Sequence, residues 1–97
     1  MVEFDFSGTV IEWRGPAPFY YVALPDWVVD EIAVVARAVT YGWGMIPVEA
    51  TIGRTTWTTS LYPKQGGYLL PVKDAVRTAE TVVVGAEVEV TLRVRGL

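Results

Sequence analysis

Polar and apolar residues alternate without interruption from Glu87 to Arg95. Val88, Val90, Leu92 and Val94 fall on one face, with Glu87, Glu89, Thr91, Arg93 and Arg95 on the other. A period of two built on β-branched residues predicts a half-buried strand. Val2, Phe4 and Phe6 alternate in the same way against Glu3, Asp5 and Ser7. Past Gly8 the pair Val10-Ile11 breaks the alternation. Ile11 and Trp13 are expected to take over the apolar phase there, through a bulge or bend beside the glycine. Gly15-Pro16-Ala17-Pro18 predicts a stiff connection, and Phe19 to Leu24 a second apolar strand.

The period then changes. After Pro25-Asp26, Val28, Ile32, Val35 and Val39 recur at helical spacing, with Asp30, Glu31 and Arg37 on other faces and the acids in the early turns that the helix dipole favours. Tyr41-Gly42-Trp43-Gly44 closes this helix. Ile46 to Ile52 and Arg54 to Tyr62 read as two strands pivoting near Gly53, and Pro63 to Gly67 as a turn. Tyr68-Leu69-Leu70 reads as a short strand. Pro71 to Thr78 has room for about two helical turns, with Val72, Val76 and Ala79 facing inward. The expected fold is mainly β, a six-stranded barrel with one long and one short helix. The halves echo each other: Val22-Ala23-Leu24-Pro25 before one helix resembles Tyr68-Leu69-Leu70-Pro71 before the other. A duplicated strand–strand–helix unit folded into one barrel follows as an expectation.

Composition narrows the chemistry. The 97 residues are 52% hydrophobic and 20% charged, enough for one domain, residues 1–97, with a core of its own. Cysteine and histidine are both absent, which excludes disulfides, thiolate zinc, Ser–His catalysis and His-bound metal together. No motif calls for a cofactor. The acidic, alternating start does not read as a signal peptide, and Asp30, Glu31 and Arg37 interrupt the richest apolar stretch, so a cytoplasmic setting without membrane contact is expected. The net charge is −3 but uneven. Up to Gly53 seven acids face two arginines, giving −5; from Arg54 onward four acids face six bases, giving +2.

Certain residues carry a family resemblance. Phe4-x-Phe6-x-Gly8-x-Val10, Leu24-Pro25, Trp43-Gly44-x-Ile46-Pro47-Val48-x-Ala50-Thr51-Ile52, Trp57-x-Thr59-Ser60-Leu61, Leu70-Pro71-Val72-Lys73, Val76-Arg77 and Gly85-x-x-Val88 occur in order over nearly the whole chain. Together they resemble a family of small prokaryotic proteins known only as a domain of unknown function, found alone or fused to a YdeI/OmpD-associated domain. The resemblance implies a double-split β-barrel, a fold classed beside the AbrB/MazE regulators. Leu70-Pro71, Val76-Arg77 and Gly85 to Val90 also look like an AbrB swapped hairpin, but Ala86 stands where those regulators carry Asp. They also build their barrel from two chains, so DNA binding does not carry over.

The candidate ligand-binding residues are Arg54, Trp57, Ser60, Tyr68, Lys73 and Arg77, with Thr59 and Trp43 nearby in the pattern. Gathered at one end of a barrel, the three cations would receive an anionic group and the aromatics would stack on a planar part. Lys73 and Arg77, four apart on the short helix, would point the same way. The competing structural reading makes Trp43 and Trp57 core residues, gives Ser60 a backbone group to satisfy, and pairs Lys73 and Arg77 with Asp74 or Glu80. Ser60 has no histidine to activate it, and Asp26, Asp30 and Glu31 read as a solvated helix face rather than metal ligands. Neither Gly42-x-Gly44 nor Gly66-Gly67 leads into a phosphate loop.

The strand Glu87–Arg95, with Glu at one end and Arg at the other, reads either as a protected edge or as the seam of a weak homodimer. The leading expectation is a non-enzymatic module binding a small anionic ligand or a protein partner. A nucleic-acid-binding regulator comes second, and an enzyme working without histidine or cysteine third.

Overall fold

A computed structural model of the chain describes residues 2–15 and 19–96; the stiff connection expected at Pro16-Ala17-Pro18 lies outside them. The elements follow the order β1 (Glu3–Trp13), β2 (Phe19–Ala23), α1 (Asp26–Val39), β3 (Ile46–Ile52), β4 (Thr55–Lys64), β5 (Gly67–Pro71), α2 (Asp74–Ala79) and β6 (Glu87–Val94). The strands close into a barrel in the order β1-β2-β5-β4-β3-β6.

Two long strands make the barrel double-split. β1 pairs with β6 over Glu3–Thr9 and with β2 over Val10–Trp13. β4 pairs with β3 over Thr55–Leu61, then with β5 over Tyr62–Lys64. Each long strand thus starts in a larger sheet with β6 and β3 and ends in a smaller one with β2 and β5. Exchanging β1 for β4, β2 for β5 and β3 for β6 leaves the pairing scheme unchanged, so one chain supplies both halves.

The equivalence runs two residues away from the one read in the sequence. Leu24 N–H donates to Tyr68 O at 3.1 Å and Val72 N–H to Tyr20 O at 2.9 Å. These reciprocal bonds match Leu24 with Val72 and Val22 with Leu70, so Pro25 corresponds to Lys73 and not to Pro71.

The core lies inside the barrel and under the helices. Phe4, Phe6, Val10, Trp57, Leu61 and the alternating residues of β3 and β6 point inward, and α1 adds Val28, Ile32 and Val39. α1 packs on β3 and β5, and α2 on β4. Ala79, expected to face inward, is exposed; Val76 alone anchors α2 from within the helix.

Two strand expectations are corrected. β1 has no bulge: its register runs unbroken through Gly8, Val10 stays inward, and Ile11 and Trp13 point outward. Gly8 instead permits close approach, since a Cβ there would overlap Val22 Cγ1. β6 is not an edge. β1 occupies one side and β3 the other, so its alternating charges serve neighbouring strands and the seam expected for self-pairing is closed. The turn read from Pro63 to Gly67 contracts to Gln65-Gly66, both at positive φ, between paired Lys64 and Gly67.

Candidate functional site

The outer faces of the two sheets differ in chemistry. On the larger sheet the outward groups, Pro47 apart, are polar, and several meet a partner directly across the ladder. Arg93 donates to Glu3 at 2.6 Å and stands 3.7 Å from Glu49. Thr91 donates to Asp5 at 2.7 Å, Ser7 to Glu89 at 2.9 Å, and the Thr51 and Thr56 hydroxyls lie 2.8 Å apart. Glu3 holds the Arg93 guanidinium above its ordinary pKa by this hydrogen bond and by its charge. Cross-strand pairs of this kind add modestly to the stability of a solvated sheet face.

The smaller sheet presents aromatic and aliphatic side chains to the outside. Its register places Ile11 opposite Tyr21, Trp13 opposite Phe19, Ala23 opposite Leu69 and Leu69 opposite Tyr62, all on the face away from the core. Phe19 is the hub: its ring centroid lies 6.3 Å from Trp13, 5.7 Å from Tyr21 and 5.9 Å from Tyr62. Lys64 reaches over Trp13, its ammonium 3.9 Å from the ring centroid, an arrangement a cation and an aromatic quadrupole favour. Leu69 is only 7% exposed yet lies outside the barrel core cluster. A second, external hydrophobic cluster therefore covers it. Burial in that cluster, with the neighbouring Tyr21, pushes the Tyr62 phenol above its ordinary value.

Beside the cluster runs a groove of 380 Å³. Ile11 and Tyr21 form one wall, the β4–β5 turn with Tyr68 the other, and Asp26, Lys64 and Gln65 bring polar groups. The sequence makes this space by omission: Ala23, Gly66 and Gly67, three of its lining positions, are the smallest side chains on the face. The aromatic surface does not cover them. Ile11 and Trp13 remain 40% and 43% exposed.

Trp43 stands on a five-residue turn that leans on β4. Tyr41 and Met45 close that turn by reciprocal backbone bonds of 3.0 and 2.8 Å, and Gly42 and Gly44 supply the positive φ it needs. Tyr41 hydrogen-bonds Ser60 on β4, and Gly44 lies against Pro63. Trp43 at its tip is 96% exposed, which corrects its assignment to the core.

The six residues singled out in the sequence occupy separate settings. Trp57 is buried and donates to Pro71 O at 3.2 Å. Ser60 bonds Tyr41 rather than a backbone group. Lys73 precedes α2 instead of lying within it, and its ammonium donates to Thr58 O at 2.9 Å. Arg77 pairs with Asp74 and stacks on Tyr20, 3.5 Å from the ring centroid. Arg54 is exposed on the β3–β4 turn. Tyr68 alone of the six lines the aromatic groove. Lys73 and Trp57 both tie α2 and its approach to β4, whereas Arg77 turns toward β2.

Ile11, Trp13, Tyr21, Tyr62 and Lys64 belong to this face without being candidates from the sequence. The signal that points to them is the unbroken apolar run from Phe19 to Leu24, since a strand apolar on both faces must have both faces covered.

A family model described as a domain of unknown function, DUF1905, matches residues 6–92. The chain belongs to this family. The match takes in β1 from Phe6 through β6 to Leu92, so the DUF1905 domain includes both sheets, both helices and the groove between Ile11 and the β4–β5 turn. No curated protein matches the chain. Among the described residues no helix is long and apolar enough to cross a membrane, and no cluster of three or more acids could hold a metal ion.

Proposed function

We propose that this DUF1905 domain is a non-enzymatic recognition module that docks its partner on the outer face of the smaller sheet. The observation that carries this reading is the division of chemistry between the two outer faces. One face carries a ladder of polar pairs. The other holds Trp13, Tyr21 and Tyr62 packed around Phe19, with the buried Leu69 opposite Tyr62 in the ladder. Aromatic groups pre-packed in this way lose little conformational entropy on binding, and Trp and Tyr are the residues that most often anchor an interface.

Support for this reading over nucleic acid comes from the cations. Arg93, Arg77 and Arg14 are paired with carboxylates, and Lys73 is bonded to a carbonyl. The larger sheet adds Glu3, Asp5, Glu49 and Glu89, which would repel phosphates. A mobility-shift titration at low salt is expected to show no retained complex, because phosphate contacts would reveal themselves as steep salt dependence.

The docking face is tested by site-specific photo-crosslinking. A photoreactive side chain placed at Ile11 is expected to give a discrete adduct in cells, lost on adding Tyr21→Ala. The same group at Thr58, on the polar face, is expected to give none. Adducts from Thr58 but not Ile11 would place the partner on the other sheet.

A further inference from the structure

We propose that the groove beside Tyr21 takes a proline-rich segment in the polyproline II conformation, flanked by a basic residue; this rests on the docking face argued above. The groove restricts how any peptide can bind. The backbone groups of β2 and β5 are engaged with β1, with each other and with β4. A ligand here cannot join as an added strand and must be read by side chains alone.

The groove favours a ligand that does not rely on its backbone N–H groups. Among the lining side chains Tyr21 brings a phenolic hydroxyl, Gln65 an amide and Lys64 an ammonium, and the one carboxylate is that of Asp26. An ordinary extended peptide brings one N–H per residue, and with β2 and β5 already paired on both sides no strand edge is present to meet them. A proline-rich segment has lost most of its N–H groups, exposes its carbonyls, and is already in its bound conformation. Its pyrrolidine rings suit the walls formed by Ile11 and Tyr21 above the low floor of Ala23.

Asp26 supplies the polarity of the site. It opens α1 beside the groove, in the half of the chain that carries seven acids against two arginines. A lysine or arginine at one end of the ligand would meet it, fixing the direction in which the segment lies.

An array of proline-rich peptides carrying arginine at either end, with proline-free scrambles, is the probe. The strongest binder is then titrated into isotope-labelled protein. The amides of Ala23, Gly66 and Gly67 are expected to shift, and Tyr21→Ala to weaken binding about tenfold or more. Tyr21→Phe, which keeps the ring and its packing, should retain the fold and lose the smaller share due to the hydroxyl. Asp26→Asn should erase the preference for arginine while leaving proline dependence intact. If scrambled peptides or a cello-oligosaccharide shift these amides and proline-rich peptides do not, the ligand class is wrong and the docking face stands. If proline-rich peptides bind but shift only amides elsewhere, or if no probe of any class shifts the groove amides, both readings fall.

Discussion

Trp43 and Trp57 sit in opposite environments, one free at the tip of a turn and the other sealed under β5 with its indole N–H on Pro71 O. Trp57→Ala is therefore expected to cost about 3–5 kcal/mol in denaturant unfolding, the range for emptying a core aromatic site. Trp43→Ala should change stability by no more than about 0.5 kcal/mol. Residue type cannot separate the two, because an indole is equally at home in a core and at an interface. Tyr62 carries a second prediction at this scale. Burial raises its pKa above the ordinary 10.0, so the folded protein holds this proton to higher pH than the unfolded chain does. Its contribution to stability is unchanged below about pH 10 and is lost as pH rises through the folded value. Phenolate absorbance should show one tyrosine titrating late, and Tyr62→Phe should remove that late phase. A late phase unchanged in the variant would mean Tyr62 is not the covered phenol.

Among the elements, β1 shows what alternation reveals and what it leaves open. The inward set of Phe4, Phe6 and Val10 keeps one parity, and β3 and β6 follow the same rule from end to end. Those faces are legible because one side of each strand is largely polar. Ile11 and Trp13 mislead because an apolar residue in a strand suggests the core, whereas here a second hydrophobic layer lies outside the smaller sheet. Gly8 suggests a bulge for a related reason, since a missing side chain and an extra residue leave similar marks in a pattern. Its true role makes a direct prediction. Gly8→Ala should destabilise by about 1–3 kcal/mol through overlap with Val22, and Val22→Ala should recover part of that loss in the double variant. Strict additivity of the two would remove the close-approach account.

For the whole molecule, the two-fold repetition of strands makes a barrel whose halves are structurally matched, each giving strands to both sheets. Val22 and Leu70, Leu24 and Val72, and Val28 and Val76 are buried counterparts. The two sheets differ on their outer faces, with acids, threonines and Arg93 on one and aromatics on the other. The family pattern in the sequence leads to the fold, since its glycines, prolines and inward residues are what the barrel needs. It does not lead to the groove, because three of the groove's positions are marked only by small residues, Ala23, Gly66 and Gly67, and its floor exists only once β2, β5 and the β4–β5 turn come together. Lys73 and Arg77 stand out as a spaced pair of cations, yet spacing along a chain does not reveal that one meets a carbonyl and the other an aromatic ring. The central claim is that the aromatic face of the smaller sheet is where this domain binds. It is tested most directly by a fragment screen read through backbone amide shifts, a measurement that works with any ligand class. Hits are predicted to cluster on Ile11, Tyr21, Ala23, Gly66 and Gly67; hits clustering instead around Lys73 and Arg77, or on the polar face along Thr51, Thr56 and Arg93, would contradict it.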